Sequence, residues 1–78
     1  ELENRYRKWL EVEIAVCESM KELGLIPEQA ASEIKARADF DVNRIEEIEK
    51  ETKHDVIAFL TNVAEHVGDA ARYIHLGL

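Results

Sequence analysis

The chain has little of what marks an exported, redox-active or nucleotide-cradling domain. It carries one cysteine, one proline, three glycines and five aromatic residues among 78. A lone Cys17 excludes an internal disulfide, and the cytoplasm is the expected compartment. Scarce glycine and proline leave room for few loops. There is no glycine-rich phosphate loop and no nucleophile elbow. No Cys/His spacing matches a zinc site, so no metal is expected. No apolar run approaches membrane-spanning length, and no signal-peptide core is present. Positive charge is in the minority: 10 Lys and Arg against 17 Asp and Glu, a net charge of -7. That balance argues against nucleic acid and anionic membranes as partners. The chain begins at Glu1 with no initiator methionine, as a processed chain or a fragment does.

What the chain does have is helical periodicity. Its apolar fraction of 46% and charged fraction of 35% are those of a soluble helical protein and too apolar for disorder. At this length one thin-cored domain, or a piece of one, is expected over residues 1–78. The spacing predicts a first helix from about Leu2 to Leu23. Its core row is Leu2, Tyr6, Trp9, Val16, Met20 and Leu23, widened by Leu10, Ile14 and Cys17 and interrupted by Glu13. Gly24 stands where a helix C′ residue belongs. Leu25-Ile26-Pro27 makes a corner, with Pro27 suited to open a short alanine-rich helix through Ala38. Asp41 is a ready N-cap for a third helix, Val42 to Glu51, with Val42, Ile45 and Ile48 inward and Phe40 as a staple. The fourth helix is expected to restart at Thr52, through a T-x-x-D box, and to run to Val67. Its row Val56, Phe59, Leu60, Val63 and Val67 is strongly apolar and is expected to be left exposed for packing against something else. Gly68-Asp69 ends it, and a short turn covers Ala70 to Tyr73. The fold class is therefore all-α: a small bundle of about four helices with a short C-terminal turn.

The candidate chemistry lies in Thr52-Lys53-His54-Asp55, at the start of the fourth helix. A helix N-terminus offers N–H donors and partial positive charge to an anion. Histidine moves protons near neutral pH, a neighbouring carboxylate can orient it, and Lys53 adds a point charge. On these residues alone a capping cluster without catalytic duty is the simpler reading. An adjacent His-Asp pair is also a feature of metal-dependent HD phosphohydrolases. Those need further metal ligands, and His66 and His75 are the only other histidines here.

Longer blocks change the balance. Asn4-Arg5-Tyr6-Arg7-Lys8-Trp9-Leu10-Glu11-Val12-Glu13 resembles the first long helix of bacterial adenylosuccinate lyases. Glu22-Leu23-Gly24-Leu25-Ile26-Pro27, Phe40-Asp41-Val42-Asn43-Arg44-Ile45 and Ile48-Glu49-Lys50-Glu51-Thr52-Lys53-His54-Asp55-Val56-Ile57-Ala58-Phe59 follow in family order. Tyr73-Ile74-His75-Leu76-Gly77-Leu78 is similar to the run just before that family's Thr-Ser signature. The H-D-V-x-A-F block and the H-x-G-L ending are the specific parts.

The resemblance implies the fumarase/aspartase superfamily, whose members are all-helical homotetramers with three domains per chain. Residues 1–78 would then be the N-terminal helical domain of a larger lyase. The implied reaction is a β-elimination that releases fumarate from adenylosuccinate, or from the related succinyl imidazole-carboxamide nucleotide of purine synthesis. No metal or organic cofactor is implied. Carried over position by position, His54 would support proton transfer or orient substrate. Asp55 would position His54 or the nucleotide. Lys53 stands where relatives carry Arg, Lys or Asn, and His75 would lie near the substrate end of the site. The family's main acid histidine, base serine and Thr-Ser pair fall outside these residues. Its phosphate-holding Arg-Tyr pair belongs earlier, so Arg5-Tyr6, by register inside helix one, is not that pair. Active sites of this family draw on three subunits, and the 78-residue chain alone is expected to be inactive. A different lyase of the superfamily is an alternative, with Lys53-His54-Asp55 followed by Val56-Ile57-Ala58-Phe59 favouring the purine enzyme. An acidic helical interaction module without chemistry is the alternative from another class.

Overall fold

Glu1 closes the first helix: its carboxylate accepts the Asn4 N–H at 3.1 Å, one of the donors a helix start leaves unpaired. The computed structural model describes the backbone of residues 1–77 and the side chains of residues 1–74. The elements are α1 (Leu2–Glu22), α2 (Glu28–Arg37), α3 (Val42–Thr52), α4 (Asp55–Val67) and a C-terminal 3₁₀ helix (Asp69–Gly77). No strand occurs among the described residues. The all-α expectation holds, with the C-terminal turn longer than Ala70 to Tyr73. No described helix is long and apolar enough to cross a membrane.

At 21 residues α1 is about 31 Å long at 1.5 Å per residue, and it sets the long axis of a 36 × 22 × 20 Å molecule. It ends in a Schellman turn. Gly24 N–H donates to Lys21 C=O at 2.9 Å and Leu25 N–H to Met20 C=O at 2.9 Å. The turn needs the left-handed backbone that Gly24 supplies at φ 75°. Ile26, 4% exposed, then pins the corner to the core. Pro27 is the N-cap of α2 rather than its first residue, with an extended backbone. Alanines keep α2 slim, and Ala30, Ala31 and Ile34 bury against its neighbours.

The stripe on α1 is narrower than its sequence suggests. Tyr6, Leu10 and Cys17 are buried, and Trp9, Ile14 and Met20 pack partly against them. Leu2 and Leu23 are 41% and 73% exposed. The reason is length: α2, with 10 residues, and α4, with 13, cannot cover both ends of a 21-residue helix.

The apolar row of α4 also departs from expectation. Phe59, Leu60, Val63 and Val67 are buried and Val56 is half-buried. α3, α2 and the 3₁₀ helix all pack on α4, and the 3₁₀ helix contributes Ala70, Ala71 and Ile74. The face predicted to await a partner is thus the chain's own core. α1 reaches α4 through aromatic side chains. Tyr6 stacks on Phe59 with centroids 5.6 Å apart, and Trp9 meets Phe59 edge-on at 5.5 Å. Phe40 joins them, 5.9 Å from Tyr6 and 6.2 Å from Phe59. Its ring therefore bridges α1 and α4. Such pairs add about 0.5–1.5 kcal/mol each beyond the area they bury.

Cys17 is 3% exposed, as its place on the stripe implies. Burial, with Glu13 and Glu18 adding to it, pushes its thiol pKa up and keeps it a small hydrophobe.

Candidate active site

α3 and α4 form an antiparallel helical hairpin, and the candidate residues lie at its turn. α3 runs one residue further than the sequence suggested and includes Thr52. Thr52 is therefore not the N-cap of α4. The chain reverses at Lys53, the only non-glycine with positive φ among the described residues, at φ 56° and ψ 29°. Its N–H still donates to Glu49 C=O at 2.7 Å, closing α3. A side chain in this left-handed region costs of order 1–2 kcal/mol, and glycine or asparagine is usual there.

His54 takes the N-cap position with an extended backbone. Its Nδ1 accepts the Ile57 N–H at 3.4 Å. Thr52 braces the turn from behind: its hydroxyl accepts His54 N–H and donates to His54 C=O, both at 3.3 Å. The predicted box is thus replaced by a hydroxyl clamp and an imidazole cap. The physical cause is the reversal at Lys53, which carries Thr52 back into α3.

An Nδ1 that accepts carries no proton, so the neutral ring is the Nε2–H tautomer and Nε2 is its outward atom. The imidazole is 56% exposed. Asp55 follows as the first residue of α4. Its Oδ1 accepts Val56 N–H at 2.8 Å. Its separation from His54 Nδ1 is 3.9 Å, which is too long for a hydrogen bond. Its Oδ2 instead pairs at 3.2 Å with Nη2 of Arg5, from α1. Arg5 lies over the Trp9 ring at 4.9 Å and near the Tyr6 ring at 5.8 Å. Tyr6 itself is 2% exposed, and burial raises the pKa of its phenol.

The structure therefore brings Lys53, His54, Asp55 and Arg5 to one corner between α1 and the hairpin turn. His66 is exposed near the other end of α4, twelve residues or about 18 Å along the helix, and shares nothing with this corner. The candidate His75 lies outside the described side chains. No group of three or more His, Cys, Asp or Glu side chains converges as a metal site among the described residues.

Two contributors carry no mark in the local sequence. Arg5 meets Asp55 across fifty residues of chain, a pairing no local pattern predicts. Asn62 sits on α4 like a solvent-face residue but is 2% exposed. Its Oδ1 accepts Asp41 N–H at 2.7 Å, and its Nδ2 donates to Glu65 Oε1 at 3.1 Å. Glu65 is gripped by Arg44, whose Nη2 donates at 2.8 Å and Nε at 3.1 Å. Asp41 completes this end of the hairpin by capping α3, accepting Asn43 N–H at 2.9 Å and Arg44 N–H at 3.2 Å. An Asp41 cap three residues before Arg44, with Asn62-x-x-Glu65 on the next helix, has no local signature that marks this clamp.

No protein-family model matches the chain. Curated relatives do. The chain is 66% identical over 74 residues to an adenylosuccinate lyase of Synechocystis sp., covering 95% of the chain and 17% of that protein. It is 50% identical over 76 residues to adenylosuccinate lyases of Bacillus subtilis and of Streptococcus mutans, covering 97% of the chain and 18% of each. It thus spans less than a fifth of the length of these relatives. Identity of 50–66% along nearly the whole chain, on an all-α fold, makes it a helical segment of the kind these relatives carry. The chain belongs, as such a segment, to the adenylosuccinate lyase family.

Proposed function

We propose that this chain is the N-terminal domain of an adenylosuccinate lyase and forms one wall of its active site. The parent enzyme would cleave adenylosuccinate to AMP and fumarate by β-elimination of a C–N bond. It would treat the succinyl-aminoimidazole-carboxamide ribotide of purine biosynthesis in the same way. Identity with lyases along nearly the whole chain supports this reading over a non-catalytic interaction module.

The observation that carries the site is the placement of His54. A helix N-cap is normally Ser, Thr, Asp or Asn, and a histidine that caps at 3.4 Å with its ring 56% exposed is a poor choice for stability alone. Its outward Nε2–H is a donor suited to a leaving nitrogen or a carboxylate oxygen of the substrate. In this reading His54 orients substrate or supports proton transfer, and Lys53 supplies positive charge for an anionic group. Asp55 positions His54 or the nucleotide, and His75 lies near the substrate. The principal acid and base come from other parts of a cytoplasmic homotetramer, and the reading calls for no metal or organic cofactor.

The test is His54→Gln in the full-length parent. Glutamine preserves bulk and hydrogen bonding but moves no proton near pH 7. Turnover should fall on the order of 100-fold, as for a lost acid–base group, with circular dichroism unchanged. Activity within a factor of two of wild type would show a cap and nothing more. The 78-residue chain alone should release no fumarate from adenylosuccinate, because catalytic groups act as a unit.

A further inference from the structure

Asp55 has two oxygens and two partners, and the second partner comes from a different helix. Oδ1 is held by the Val56 N–H at 2.8 Å and Oδ2 by Arg5 at 3.2 Å. His54 Nδ1 lies 3.9 Å from Oδ1, just beyond bonding range. Two local arrangements are therefore close together in space. In the one observed, Nδ1 accepts the Ile57 N–H and Nε2 carries the outward proton. In the other, the carboxylate turns to take an Nδ1–H, the cap to Ile57 is lost, and the outward Nε2 becomes an acceptor. The same ring would then present the opposite polarity to whatever it faces.

We propose that Arg5 is a positioning residue that selects the first arrangement. It acts on His54 through Asp55, by holding the Asp55 carboxylate away from Nδ1. The inference rests on reading His54 as a site residue. Arginine suits the task because its planar guanidinium can lie on the Trp9 face and still reach a carboxylate. Trp9 is in turn set by Tyr6 and Phe59 of the core, so the guanidinium inherits a fixed position. The pair is half exposed, at 49% for Arg5 and 45% for Asp55, and such pairs add little to stability. Its effect is on which way a hydrogen bond runs.

The experiment uses the full-length parent carrying Arg5→Met, Arg5→Lys, Asp55→Ala and the Arg5→Met/Asp55→Ala double variant, with His54→Gln alongside. Arg5→Met should lower kcat by about 10-fold, as small misplacements of a reacting group do, while KM stays within about 2-fold. Hydrogen exchange in the peptide covering residues 54–58 should quicken as the Ile57 cap opens. Arg5→Lys, which keeps the charge and loses the stacked plane, should recover part of the kcat. The double variant should be no slower than Asp55→Ala alone, because without Asp55 there is nothing for Arg5 to restrain. Multiplicative losses in the double variant would mean that Arg5 acts directly, and would overturn the proposal. So would unchanged exchange in Arg5→Met. If His54→Gln keeps full turnover, the site reading fails, and the exchange data still decide whether Arg5 holds the cap.

Discussion

The α3–α4 hairpin has two polar ends, and they are built to different standards. At the open end, Asp41, Arg44, Asn62 and Glu65 join in short hydrogen bonds, several of them doubled. The buried amide there is satisfied on both its oxygen and its nitrogen. At the turn end, a lysine holds a left-handed backbone, a histidine caps at 3.4 Å, and the polar heads face outward. Both ends join the same two helices and rest on the same core. A chain that can build the first end has no structural need for the second. Strain and loose capping at one end of an otherwise well-satisfied pair are what the proposed role of His54 would require of that end.

The comparison can be broken from the core outward. Phe59→Ala removes the ring on which Tyr6, Trp9 and Phe40 all converge, and should destabilise the chain by about 3–5 kcal/mol. Urea unfolding followed by circular dichroism would show both hairpin ends failing together. Asn62→Leu strikes the open end alone. It strands the Asp41 N–H, while Glu65 keeps Arg44 on both oxygens, and should cost about 1–3 kcal/mol. An equal loss from Thr52→Val at the turn would erase the contrast between the two ends.

The turn end should respond in the opposite direction. Lys53→Gly relieves the left-handed strain, offset partly by chain entropy, for a gain of about 0.5–1 kcal/mol. In the full-length parent the same change should reduce turnover. A variant with neither effect would show that Lys53 is an ordinary surface residue. The smallest effect is electrostatic. Hydrogen bonds from Arg44 first and Asn62 second hold the Glu65 carboxyl below its ordinary 4.5. A carboxyl depressed in the folded state stabilises above its unfolded pKa, and that contribution is lost as pH falls through the folded one. The open end should therefore loosen below about pH 4.5, and Arg44→Met should flatten that acid limb. Unfolding midpoints between pH 7 and 3 would measure it.

Helix placement was legible because apolar spacing, Gly24, Pro27 and Asp41 are local signals. The restart at Thr52 misled because T-x-x-D is a good box in isolation, and nothing local announces that a lysine will take the turn. Leu2 and Leu23 misled because periodicity says which face is apolar, and only the neighbours' lengths say how much of it is covered. The α4 row was read as exposed because the 3₁₀ helix that covers it has no strong pattern of its own. His54 was proposed from residue type and context. Arg5 and Asn62 were not, since each is defined by a partner on another helix.

Trp9 is the chain's single tryptophan, and it lies between Phe59 of the core and the Arg5 guanidinium that reaches Asp55. An indole beside a cation has an emission sensitive to that cation's position. Excited at the red edge of its absorption, this segment carries a built-in optical gauge of the His54 corner. Any ligand, pH step or substitution that moves Arg5 should be readable as a change of colour or lifetime, without an added label.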